Sequence, residues 1–172
     1  MRLFSHEWAA SDDEAACRRI ADDYAELLRT YPPPARGPVA RFVESIDLRG
    51  AILDGLAVDE DAGTVAAEIF CGDRPTGYKL LTLVYEDASV ETADREVFER
   101  VLAAAGPQIR YDEFDLAADR RQRASCRHRY LFWPKEYGEA SIEFFNLSWT
   151  LQPARERRRS AEDAQLPAAS PR

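Results

Sequence analysis

The spacing of apolar and polar positions changes twice along the chain, dividing it into a helical start, a strand-rich middle and a second strand-rich stretch. Ala16, Ile20, Tyr24, Leu27, Leu28 and Tyr31 recur at intervals of three and four. Asp22, Asp23, Glu26 and Arg29 take the opposite face, which predicts an amphipathic helix. Ser11 to Glu14 has the form of a capping box at its start, and Pro32, Pro33 and Pro34 end it because proline has no amide to donate. Val39, Phe42, Val43 and Ile46 share one face of a shorter second helix from Pro38 to Ile46.

From Gly50 the period shortens. Ala51 to Val58 and Thr64 to Phe70 flank the turn residues 59–63 and predict a hairpin. Tyr78 to Tyr85 is apolar on nearly both faces, as suits a central strand. Thr92 to Ala105 predicts a helix with Val97, Phe98, Val101 and Leu102 inward, stopped by Gly106 and Pro107. The stretch from Ile109 to Leu151 then reads as three strands. Between Cys126 and Trp133 one face carries Cys126, His128, Tyr130 and Phe132, and the other Arg127, Arg129, Leu131 and Trp133. In the last strand the apolar phase slips from Ile142 and Phe144 to Phe145, Leu147, Trp149 and Leu151, which predicts a bulge near Phe144 to Asn146. A similar slip between Tyr111 and Phe114 predicts a second bulge or bend. The fold class that follows is α+β: an antiparallel sheet of about six strands in two groups of three, with two N-terminal helices and one central helix packed on one face.

A chain of 172 residues is of a size for one domain with a sizeable core. Its boundary falls at Pro153. Residues 154–172 run from an arginine cluster, Arg155 to Arg159, into Ala, Ser and Pro, and bury too little to order themselves, so a disordered basic tail is expected there.

Charge narrows the function. The formal net charge is −8, with a pI of about 4.9. Of the 23 basic and 31 acidic residues, five and three lie after Pro153, so residues 1–153 carry 18 and 28, a net of −10. That balance argues against a nucleic-acid partner held by its phosphates. No apolar run approaches the roughly 20 residues that span a bilayer, and the first residues lack the apolar stretch of a signal peptide, so the expected location is the cytoplasm and no membrane partner is expected. Cys17, Cys71 and Cys126 are far apart and odd in number, which suggests reduced thiols rather than a disulfide framework or a zinc knuckle.

The acids Asp112, Glu113 and Asp115 lie across the proposed hairpin from Arg127, His128 and Arg129, with Arg120, Arg121 and Arg123 in or near the turn. Paired carboxylates beside a histidine are what general acid and base chemistry needs. The simpler reading, and the preferred one, is register-setting pairs between neighbouring strands. His6, His128 and Glu143 form a possible polar site, but a metal held by His128 with Asp112 or Glu143 would need His6 as well. A half-buried, hydrogen-bonded His128 is the simpler expectation, and neither a metal nor a cofactor is expected. His6 and Glu7 lack the spacing of a zinc-protease helix, and Phe4 to Trp8 reads as a packing cap with Trp8 on the sheet. Phosphate-binding glycine loops and nucleophile elbows are absent from the sequence.

Several stretches carry a resemblance: Phe4, His6, Glu7 and Trp8; the helix end from Tyr24 to Pro32; Asp47 to Asp54; Tyr111 to Leu116; and His128 to Pro134 followed by Ile142 to Phe144. Together they resemble an uncharacterised family of small bacterial cytoplasmic proteins, similar to the single-domain proteins found near polymorphic toxin and contact-dependent systems. The likeness runs over about residues 3–151. It implies binding and blocking of a partner, as immunity proteins do, and it brings no catalytic residue with it.

The leading expectation is therefore a non-enzymatic, acidic protein-binding module, immunity-like, that occupies a basic protein such as a nuclease toxin through Asp59, Glu60, Asp61, Asp112, Glu113 and Asp115. The alternative is a small hydrolase or metal-dependent enzyme with its site near His128, Asp112 and Glu113. A scaffold or dimerisation role is the third reading, resting on Phe145, Trp149 and Leu151 as an uncovered patch. The expected state is a monomer or a homodimer.

Overall fold

The structure is a computed structural model and describes residues 3–5, 8, 14–29, 36–73, 75, 77–104, 106–118 and 124–154. Helix α1 (Glu14–Arg29) turns Tyr24 and Leu28 into the core, one turn apart on one face. Helix α2 (Arg36–Ser45) does the same with Val39 and Phe42, both about 1% exposed. The proposed capping serine and the triple proline lie outside the described residues.

Among the described residues seven antiparallel strands form two sheets. The first has the order β1-β2-β3-β7, built from β1 (Ile52–Asp59), β2 (Thr64–Asp73), β3 (Gly77–Glu86) and β7 (Asn146–Pro153). The second has the order β4-β5-β6, built from β4 (Gln108–Ala118), β5 (Ala124–Trp133) and β6 (Glu139–Phe144). β3 lies between β2 and β7, as expected of a central strand; Leu81, Leu83 and Tyr85 on one face are fully buried, while Thr82 and Val84 on the other are partly buried. At the β2 to β3 connection Gly72 has φ +93°, and a Cβ there would collide with the carbonyl oxygen of Gly77, so only glycine fits.

Among the described residues there are seven strands where the apolar pattern reads six, because the last predicted strand is two. β6 ends at Phe144 in the three-stranded sheet, and β7 begins at Asn146 in the four-stranded one. Phe145 is the crossing residue, and its amide donates to Glu86 O at 3.1 Å. The phase slip from Phe144 to Leu147 is a change of sheet, after which the buried face is counted against a different partner: both residues are buried, Phe144 fully and Leu147 at 3% exposure. The irregularity predicted between Tyr111 and Phe114 is found slightly earlier, as a register shift between Ile109 and Tyr111 where β4 meets β5.

Backbone bonds join the sheets at two further points. Gly50 N donates to Ile109 O at 2.8 Å and Ile109 N to Ala51 O at 2.7 Å, while Ser89 and Glu143 exchange a pair of bonds at 2.9 and 3.0 Å. The core lies between the sheets. From β3 come Leu81, Leu83 and Tyr85, and from the facing sheet Phe114, His128, Tyr130, Phe132, Ile142 and Phe144. Helix α3 (Thr92–Ala103) sets Phe98 edge-on to Tyr130 and Phe132, and α2 sets Phe42 edge-on to Phe114 and Trp149. Trp149 is thus covered by α2, and of the proposed apolar patch on the last strand only Leu151 stays well exposed, at 39%.

Candidate functional site

The alternation of β5 puts His128 inward, and the structure carries the burial further than the half-buried expectation: its exposure is 0%. Phe114 stacks on the imidazole at 3.9 Å, with Tyr130 at 4.3 Å and Phe42 edge-on at 5.8 Å. Both ring nitrogens are engaged, Nε2 with Asp112 Oδ2 at 2.9 Å and Nδ1 with the Tyr85 hydroxyl at 2.8 Å. The Tyr85 hydroxyl also meets that of Tyr130 in a very short contact. Four polar side chains from β3, β4 and β5 thus form one buried chain through an otherwise apolar core.

Its proton positions follow from chemistry. Burial lowers the pKa of His128, against the opposing hydrogen bond from Asp112, so the ring is neutral and carries one proton. A carboxylate only accepts, which places that proton on Nε2 and makes Nδ1 an acceptor. Tyr85 must then donate to Nδ1. Its one hydrogen is spent, so the short bond between the phenols is donated by Tyr130. Burial raises the pKa of both phenols, which keeps them protonated. The direction runs from Tyr130 through Tyr85 and His128 to Asp112. A general base must come within hydrogen-bond reach of a substrate proton, and His128 presents no exposed edge for one.

Glu113 points to the other face of β4 and does not join this chain. Its Oε2 accepts from Leu3 N at 2.9 Å and Phe4 N at 3.1 Å, and at 1% exposure it pins the N-terminal segment to the strand. Phe4 then packs on Trp8, Tyr24 and Tyr111, and Trp8 meets Tyr111 edge-on at 4.7 Å, as expected of a packing cap. Asp115 is buried and bonds Arg129 Nη2 at 3.3 Å, while Arg127 pairs with Glu143, its register partner on β6. Cross-strand pairing therefore accounts for Glu143, Arg127 and Arg129. Of the residues expected to contact a partner, Asp112, Glu113 and Asp115 have carboxylates that bond His128, the N-terminal backbone and Arg129. His6 lies outside the described residues, as do Glu7, Arg120, Arg121 and Arg123.

The other three expected contact residues are placed differently. Asp59, Glu60 and Asp61 are exposed at the β1 to β2 turn, where Asp59 Oδ1 accepts from Ala62 N at 2.9 Å and closes the turn. The register sets Thr64 opposite both Asp59 and Glu86, and Ala88 N donates to Gly63 O at 2.8 Å, which brings the end of β3 beside the turn. Glu86 and Asp87 there are exposed as well. Glu60 pairs with Arg95 of α3 at 2.6 Å, and Glu86 accepts from Asn146 at 2.7 Å. Glu86 and Asp87 were not identified from the sequence, though the turn assigned to 59–63 could have found them: it places the hairpin mouth against the end of the next strand.

At the opposite end of β1 a cleft of about 290 Å³ is lined by Tyr24, Val43, Ile46, Asp47, Arg49 and Asp112. The Arg49 guanidinium holds Asp47 by bonds of 3.0, 3.0 and 2.6 Å, which lowers the aspartate pKa and raises that of the arginine. Asp47 and Arg49 carry no sequence signal beyond their spacing. Among the described residues no group of three or more His, Cys, Asp or Glu is arranged to hold a metal, and no helix is long and apolar enough to cross a membrane. Comparison with protein-family models finds none that matches the chain, and comparisons with curated proteins and with solved structures find no match either.

Proposed function

We propose that this protein is a non-enzymatic binding module that recognises a basic protein partner, in the manner of an immunity protein that blocks a toxin. The observation that carries the reading is the acidic end of the four-stranded sheet. Asp59, Glu60, Asp61, Glu86 and Asp87 present five exposed carboxylates from two adjacent connections. Carboxylates held on a hairpin and a strand end are positioned by the sheet, so a partner meets a fixed array of charge. Such an array speeds encounter with a cationic surface and excludes acidic competitors more than it sets affinity. The net of −8 over the whole chain acts in the same direction at longer range.

The reading is tested by affinity capture from the source cell with the wild-type chain and with the D59N/E60Q/D61N variant, at low and high salt. A partner of high pI held by the wild type at low salt, and lost from the variant, supports it. Retention of the same proteins by both chains at either salt refutes it.

A further inference from the structure

We propose that the cleft between α1, α2 and the start of β4 binds an alkylguanidinium or alkylammonium group, the chemistry shared by an arginine or lysine side chain and a free polyamine-like cation. The site lies roughly 25 Å from the acidic turn, at the other end of the eight-residue strand β1, and does not depend on it.

Asp112 anchors the site. Its side chain is 18% exposed, and one of its oxygens accepts from His128 while the residue lines the cleft. An ionised carboxylate has acceptor sites on both oxygens, and His128 uses one of them. The aromatic cage and the Tyr85 hydroxyl fix the imidazole, and the imidazole in turn fixes the carboxylate, so its orientation needs no ordering when a ligand arrives. The charge balance points the same way. His128 is neutral and does not cancel the charge of Asp112. Arg49, the cation in the lining, already grips Asp47 through Nε and Nη2. Two carboxylates against one guanidinium leave the cleft one negative charge in excess, in a recess where solvent screens it less than on open surface.

The remaining walls suit the rest of such a ligand. Val43 and Ile46, partly buried on and just after α2, offer apolar surface to an alkyl stem, and Tyr24 offers an aromatic ring near the charged head. A volume of about 290 Å³ is near the lower limit of ligand pockets, which suits one side-chain-sized group rather than a nucleotide or a folded peptide.

The test is a titration of the full chain, followed by backbone amide resonances. The probes are agmatine, the blocked peptide acetyl-Gly-Arg-Gly-amide, and the same peptide with neutral citrulline in place of arginine. Saturable shifts at Tyr24, Val43, Ile46, Arg49 and Asp112 are expected with a cationic probe and not with the citrulline peptide. Agmatine alone saturating the site assigns it to a free small cation, and saturation by the arginine peptide assigns it to a side chain. Asp112→Asn, which keeps an oxygen to accept from His128, should weaken binding by about tenfold or more. Arg49→Gln, at an exposed position, should tighten it severalfold by releasing Asp47. Absence of saturable shifts, equal shifts with citrulline, or unchanged affinity in both variants overturns the proposal. Because the readout is local to the cleft, any of these results leaves the question of the acidic turn where it stood.

Discussion

The carboxylate of Asp112 accepts a hydrogen bond from Nε2 of His128 at 2.9 Å, and this one contact orders a buried chain of four side chains. Its direction makes the members unequal. Tyr85→Phe leaves Nδ1 of His128 without a donor and the Tyr130 hydroxyl without an acceptor, two stranded buried groups at about 1–3 kcal/mol each. Tyr130→Phe strands neither, since Tyr85 still donates to His128, and should cost about 1 kcal/mol. Urea midpoints of the two variants check the order. Equal losses, or a larger loss for Tyr130→Phe, would contradict this direction.

Acidification should destabilise the protein through His128. Its folded pKa lies below the unfolded value of about 6.5, so as pH falls through that value the unfolded chain takes up a proton that the folded one refuses. Stability therefore rises with pH across the window below about 6.5, at up to about 1.4 kcal/mol per pH unit from this group. Unfolding free energies between pH 7.5 and 5.5, compared for wild type and His128→Gln, isolate the effect. The wild type should show the steeper loss on acidification.

Glu113→Gln should loosen the N-terminal segment before it affects the sheets. Leu3 N and Phe4 N both donate to Oε2, which the glutamine oxygen can replace, so the substitution removes the negative charge from that shared acceptor and from the side facing Arg129. The expected cost is about 1–3 kcal/mol, as for a buried hydrogen bond to a charged group. Hydrogen exchange should quicken at Leu3 and Phe4 while the amides of β4 keep their protection.

Cys71 and Cys126 should resist alkylation in the native state. Both are buried, and burial raises both thiol pKa values, that of Cys126 to about 11, so little thiolate exists at neutral pH. Peptide mapping after a short iodoacetamide pulse should find both unmodified until denaturant is added.

The helices and strands were readable in the sequence because each has one buried face and a period that reports it. Phe98 and Val101 on α3, and the buried Cys126, His128 and Tyr130 alternating with the partly exposed Arg127 and Arg129 on β5, are examples. Sheet membership was not readable. A phase slip looks the same whether the strand bulges or leaves for another sheet, and at Phe145 it leaves. The site was harder still. Asp112, Glu113 and Asp115 form one acidic run in sequence, yet successive residues on a strand face opposite ways, so Asp112 turns inward to the histidine while Glu113 and Asp115 turn to the N-terminal segment and Arg129. The sequence placed His128 on an apolar face but could not show that Tyr85, from the other sheet, would supply its second hydrogen bond.

The central claim, recognition of a basic partner by the acidic end of the four-stranded sheet, is tested most directly by the association rate of the captured partner as a function of ionic strength. The wild-type rate should fall steeply with added salt, and the D59N/E60Q/D61N variant should associate more slowly and with a shallower salt dependence. Rates that are indifferent to salt, or identical for the two chains, would contradict it.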